Sequence, residues 1–200
     1  MKYLMLTGFE PFDGYKSNPS EEATRALDGK SIGGYTVKGT ILPLDYKRMS
    51  GMLDSALDAK PDVVLCCGQA ERGSVTIERI ALNAVGTTRK DNYGNVPKRD
   101  VIDPEGPAAY FTSIDPFALV EHLTQEHIPA FVSYHAGVYG CNWAIYSVMR
   151  GIDTRGIPSR ATFIHLPPLP QQALEKNNPN LPTLPLETSL RALRTIIKSL

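Results

Sequence analysis

Three residues of this chain, Glu78, Cys141 and His165, are of the types that together carry out thiol acyl transfer. That chemistry needs a base to take the thiol proton and return it to a leaving amine. A third group must fix the imidazole tautomer and stabilise the imidazolium. Cys141 stands in Ser133-Tyr134-His135-Ala136-Gly137-Val138-Tyr139-Gly140-Cys141-Asn142-Trp143. Ala130 to Tyr134 is a short strand-like run introduced by Pro129, and Ala144, Ile145, Val148 and Met149 then recur at helical spacing up to Gly151. The cysteine is therefore expected where a strand turns into a helix, with Gly137 and Gly140 permitting a tight approach. A thiol at a helix N-terminus faces unpaired N–H groups and the positive dipole end, which favour its thiolate and can also receive an oxyanion. The alternative is a small, inert core cysteine.

The other two candidates carry alternatives of the same kind. His165 is either a base or a hydrogen-bonded structural residue. Glu78 is an orienting carboxylate, an edge-strand surface charge, or the partner of Arg79. His135, six residues before Cys141, is a rival base on the strand side of the turn. His122 and His127 read as surface residues.

The elements that must position these groups alternate along the chain. Strands are expected over Tyr3 to Thr7, Tyr35 to Leu42, Val63 to Cys67 (ending at Gly68), Val75 to Asn83, Ala130 to Tyr134 and Ala161 to Pro168. Asn18-Pro19-Ser20-Glu21 starts a helix running to about Gly29, with Asn as N-cap, Pro at N1 and Glu at N3. Further helices are expected from Tyr46 to about Ala59, from Asp115-Pro116 to about Gln125, after Cys141, and from Leu186 to Leu200. Strands alternating with helices imply a largely parallel sheet covered on both faces, a three-layer α/β/α domain. Gly8 to Gly14 is a loop whose Phe9 and Phe12 are packing plugs or pocket walls. Gly68 to Gly73 is a polar loop beyond a strand end, where ligands bind in open α/β sheets. Gly86 to Pro107 reads as a long, irregular, functional loop, and Pro167 to Pro185 as a flexible excursion or an oligomer contact.

Composition narrows the function classes. At 200 residues and 42% hydrophobic content, residues 1–200 can form one domain with a substantial core. Lysine plus arginine and aspartate plus glutamate both number 21, and no basic run stands out, which argues against nucleic acid and anionic membrane surfaces. The N-terminal apolar run is too short for a signal peptide, and no stretch could span a bilayer. The 3 cysteines, with Cys66 and Cys67 adjacent, make neither a disulfide framework nor a zinc site, so a reduced cytoplasmic setting is expected.

Taken together, the motifs resemble those of the pyroglutamyl peptidases, a family of cytoplasmic cysteine peptidases. Thr7-Gly8-Phe9-Glu10-Pro11-Phe12 with Asn18-Pro19-Ser20 resembles the family's opening motif. Glu78-Arg79-Ile80-Ala81-Leu82-Asn83 resembles the segment around its catalytic glutamate. Ala136-Gly137-x-Tyr139-x-Cys141-Asn142 is similar to its nucleophile motif, and Phe163-Ile164-His165-Leu166-Pro167 to its histidine motif. Asp91-Asn92-x-Gly94-Asn95-x-Pro97 and Gly106-Pro107-Ala108-Ala109-Tyr110-Phe111 match further segments in the same order.

The resemblance implies Cys141 as nucleophile, His165 as its base and later acid, and Glu78 as the orienting carboxylate. It implies that Phe9 and Phe12 line a pocket for the pyroglutamyl ring, that Gln69 helps bind the lactam, and that Tyr139 and Gly140 border the substrate. A neutral slot suits this ring, because a charged N-terminus entering it would lose hydration without a partner. No metal or cofactor is implied, and a homotetramer is the expected assembly. Two departures stand out: Thr88-Arg89-Lys90 replaces the family's Arg-Ile-Pro before Asp-Asn, and Gly140 replaces a branched aliphatic residue. Gly140 is expected to widen the pocket; the competing reading is a backbone with φ > 0. A thiol amidase with a different acyl substrate and a non-catalytic binding protein are the alternative functions.

Overall fold

A computed structural model describes residues 2–200. The elements in chain order are β1 (Lys2–Phe9), α1 (Pro19–Leu27), β2 (Ser31–Ile32), β3 (Tyr35–Leu42), α2 (Tyr46–Leu57), β4 (Val63–Gln69), β5 (Val75–Glu78) and β6 (Ile80–Leu82). They continue with β7 (Ala109–Phe111), α3 (Pro116–Gln125), β8 (Ala130–Ser133), α4 (Gly140–Arg155), β9 (Arg160–Leu166), α5 (Pro170–Glu175) and α6 (Leu186–Lys198). Seven strands form one sheet in the order β2-β3-β1-β4-β9-β5-β8, and β6 pairs with β7 separately. β1 runs parallel to β3 and β4, β4 to β9, and β5 to β8, whereas β2–β3 and β5–β9 are antiparallel. The sheet is thus mixed but mostly parallel, as expected.

Strand side chains alternate between two apolar layers. Leu4, Leu6, Val63, Leu65, Cys67, Ile164 and Leu166 pack with α1, α3 and α6 on one face. Met5, Phe9, Val64, Cys66, Ala161 and Phe163 pack with α2 and α4 on the other. The adjacent cysteines Cys66 and Cys67 therefore point to opposite faces, and both are fully buried. Burial pushes the Cys66 thiol up to about 12 and raises that of Cys67 as well. Among the described residues no helix is long and apolar enough to cross a membrane.

Several boundaries differ from the expectation, each for a local reason. The stretch from Val75 to Asn83 breaks at Arg79: its N–H still reaches Ser133 O at 2.7 Å, but its carbonyl accepts from Thr112 N, and the chain leaves to pair with β7. Helix α4 runs past Gly151 and ends at Gly156, which caps it in the left-handed region at φ 59. Gly151 is a packing residue, because a Cβ there would lie 2.6 Å from Leu57 of α2. The proline-rich stretch from Pro167 to Pro185 is no loose excursion: it contains α5, and Leu169, Gln172, Leu181 and Leu184 are buried.

Candidate active site

Register places Glu78 and His165 on one sheet face. β5 and β9 pair Thr76 with His165 and Glu78 with Phe163, so the carboxylate and the imidazole are diagonal neighbours. Phe163 points to the layer of α2 and α4, and the period of 2 puts His165 there too. His165 Nδ1 lies 2.7 Å from Glu78 Oε1. Arg72 Nη1 donates to the same oxygen at 3.0 Å, from the loop after β4. Glu78 is fully buried, which settles its place: neither a surface charge nor a partner of Arg79.

The electrostatics set the protonation states. Burial raises the Glu78 carboxyl, but the hydrogen bond and charge of His165, with Ser133 and Arg72, overcome it and hold the group below its usual value. Burial also lowers the His165 imidazole below 6.5, outweighing Glu78. A neutral imidazole therefore faces an ionised carboxylate. The carboxylate can only accept, so Nδ1 carries the proton and Nε2 keeps the lone pair.

Cys141 is the second residue of α4. Asn18, Asp45 and Asp115 cap α1, α2 and α3 with side-chain oxygens, whereas α4 has no side-chain cap. Its first N–H groups have no acceptor within the helix and, among the described residues, remain free to receive an anion. Asn142 instead clamps the helix start to β6: Leu82 N donates to its Oδ1 at 2.9 Å, and its Nδ2 donates to Leu82 O and Ala84 O at 2.9 and 2.8 Å. The Cys141 thiol lies over Gly68, where a Cβ would come within 2.8 Å of Sγ and 2.9 Å of Phe163. Gly68 is the register partner of His165 across β4 and β9, so the thiol is seated next to the imidazole strand position. The expectation of a resting thiolate is corrected. Burial first, then the Glu78 charge, pushes the thiol up to about 12, against the smaller opposing pull of Arg89.

Cys141 and His165 line one cavity of about 480 Å³, with Phe12, Gln69, Arg72, Arg89 and Tyr139. Arg89 thus reaches the site: it is ion-paired with Asp13, and its guanidinium lies 3.8 Å from the Tyr139 ring centroid. The long loop carrying it is tied to the opening loop through Glu10, whose Oε1 accepts from Leu44 N at 2.9 Å and Asn92 Nδ2 at 2.8 Å. His135 also borders the cavity, but it is exposed, and its Nδ1 accepts from Gly137 N at 3.1 Å. Among the described residues no carboxylate holds His135, which leaves it without the partner that His165 has.

Two of the expected pocket residues sit elsewhere. Phe9 is fully buried and backs Phe12 edge to face, with ring centroids 6.2 Å apart, rather than lining the cavity. Gly140 neither borders the cavity nor has a positive φ. A Cβ at Gly140 would overlap Leu44 Cδ1, so Leu44 fills the space left by the missing side chain. The widened pocket is therefore corrected to a compensated packing contact. Leu44 was not singled out by sequence, and Gly68, Arg72 and Asn142 entered only as members of longer stretches, with no role of their own.

Comparison with known proteins agrees with this geometry. The family model for pyroglutamyl peptidase matches residues 1–200. A pyrrolidone-carboxylate peptidase of Thermococcus onnurineus is 39% identical over 198 residues, covering 98% of this chain and 97% of its own. One of Chromobacterium violaceum is 40% identical over 200 residues, covering 99% and 92%. The solved pyrrolidone carboxyl peptidase of Thermococcus litoralis superposes with a TM-score of 0.94 at 34% identity, covering 99% of this chain and 92% of that one. With fold, motif order and site all in agreement, the chain belongs to the pyroglutamyl peptidase family.

Proposed function

We propose that this chain is a cysteine exopeptidase that hydrolyses the amide bond after an N-terminal pyroglutamyl residue, through a thioacyl-enzyme intermediate. The observation that carries the reading is the Glu78–His165 contact at 2.7 Å, which holds His165 on the wall of the cavity that Cys141 also lines from an uncapped helix start. Thiol and imidazole both rest neutral, so the proton leaves Sγ for His165 Nε2 as the C–S bond forms. The carbonyl oxygen becomes an oxyanion facing the first N–H groups of α4. Glu78 stabilises the imidazolium, which then protonates the leaving amine as the C–N bond breaks. Water, giving a proton to His165, attacks the thioester; the C–S bond breaks, pyroglutamate leaves and the thiol recovers its proton.

The substrates are N-terminally pyroglutamylated peptides. The protein acts as one peptidase domain over residues 1–200, in the cytoplasm and as a homotetramer. Family membership supports the activity, and the charge balance supports a partner that is neither nucleic acid nor membrane. The thiol amidase of altered acyl specificity loses its motive, because Leu44 occupies the space at Gly140. The test is release of a reporter amine from a pyroglutamyl amide but not from an unblocked alanyl amide, with Cys141→Ala abolishing turnover. Retained turnover in Cys141→Ala would falsify the mechanism.

A further inference from the structure

Gln172 lies in α5 and is fully buried. Leu169 N donates to its Oε1 at 2.6 Å, and a backbone N–H can only donate, so that end of the amide is the oxygen. The opposite end, Nε2, donates at 3.0 Å to the carbonyl of Ser17, which can only accept. The same Nε2 donates to Gln69 at 3.0 Å, so the Gln69 atom facing Gln172 is its oxygen. Gln69 Nε2 is then turned away from Gln172. It makes no hydrogen bond among the described residues, and Gln69 borders the cavity of Cys141 and His165.

We propose that Gln172 is a positioning residue that fixes the amide of Gln69 with its N–H donors toward the cavity, selecting acyl groups that bring a carbonyl acceptor there. The proposal rests on reading the cavity as an acyl-group site. An enclosed N–H left unpaired loses its hydration, so a hydrocarbon ring of the same shape is disfavoured. The lactam carbonyl of a pyroglutamyl ring supplies the acceptor. A prolyl ring offers only donors and a positive charge. Without Gln172 the Gln69 amide has no reason to prefer one orientation, and half of its conformers present an oxygen to the lactam oxygen.

The test measures competitive inhibition by 2-pyrrolidone, the bare lactam, in wild type and Gln172→Met, with alkylation of Cys141 by iodoacetamide as a control for the intact turn. With the donating orientation about half populated, lactam binding should weaken about twofold. KM for the pyroglutamyl amide should rise in parallel, with kcat and the alkylation rate kept. Should Gln172→Met fail to fold, the smaller Gln172→Leu removes the same donor, with the same expected loss. Unchanged lactam binding in a folded variant would overturn the proposal, as would lactam affinity and alkylation rate falling together. A wild-type chain that binds 2-pyrrolidone but releases no amine would sink the proposed function and leave this inference to the binding comparison. Absence of lactam binding in the wild type would overturn the inference itself.

Discussion

Gly68→Ala should displace the nucleophile without touching any charged group. The added Cβ would lie 2.8 Å from Cys141 Sγ and 2.9 Å from Phe163 Cζ. Non-bonded heavy atoms pack at about 3.5–4.0 Å, so the thiol must retreat by roughly 1 Å. The strand cannot yield instead, because β4 is held between β1 and β9 and all its residues are buried. Misplacing a reacting atom by about 1 Å costs on the order of 10²-fold in rate. Overpacking adds about 1–3 kcal/mol of destabilisation, and each kcal/mol lowers Tm by about 2–4 °C in a chain of this size. The assay is kcat on a pyroglutamyl amide, with a thermal melt to show that the variant is folded at the assay temperature. The expected outcome is a large fall in kcat with a modest fall in Tm. A folded Gly68→Ala enzyme with wild-type kcat would refute the close approach of the thiol to β4 as a catalytic requirement.

Gly140→Val should lose stability by about 1–3 kcal/mol through collision with Leu44. Leu44→Ala should restore part of it in the double variant; additive losses in a melt would show that the two side chains do not share that space. The acid limb of kcat/KM should have its midpoint below 6.5, because burial holds His165 neutral: activity is full above that value and is lost as pH falls through the depressed pKa. Arg72→Gln removes a cation that disfavours the imidazolium, so the limb should move to higher pH, while Arg72→Lys should hold it. A wild-type midpoint above 6.5, or a limb unmoved in Arg72→Gln, contradicts the neutral resting pair.

Local chemistry in the chain was enough for the order of the longer elements, though not for the short β2, β7 and α5, and for the three reacting side-chain types. Asn18 before Pro19, Asp115 before Pro116 and the apolar face of α6 depend only on neighbours within a turn or two, and all three appear in the fold. The alternation of strands and helices was likewise enough for a mostly parallel sheet. Whether Glu78, Cys141 and His165 meet could not be read from spacing, since it depends on the antiparallel register of β5 with β9 and on α4 landing over Gly68.

The same limit explains the corrected expectations. A thiol at a helix start reads as a thiolate when only the dipole is counted, but enclosure by β4, Phe163 and α4 removes the water that would solvate the charge, and desolvation wins. Gly140 reads as empty space until Leu44, 96 positions earlier in the chain, is seen to fill it. Gln172, inside a stretch rich in proline and asparagine, gave no local sign of orienting Gln69, since their 3.0 Å contact joins α5 to the end of β4. Propensity, capping and periodicity act over a few residues, whereas proton positions, vacancies and amide orientations are set by what packs across the sheet.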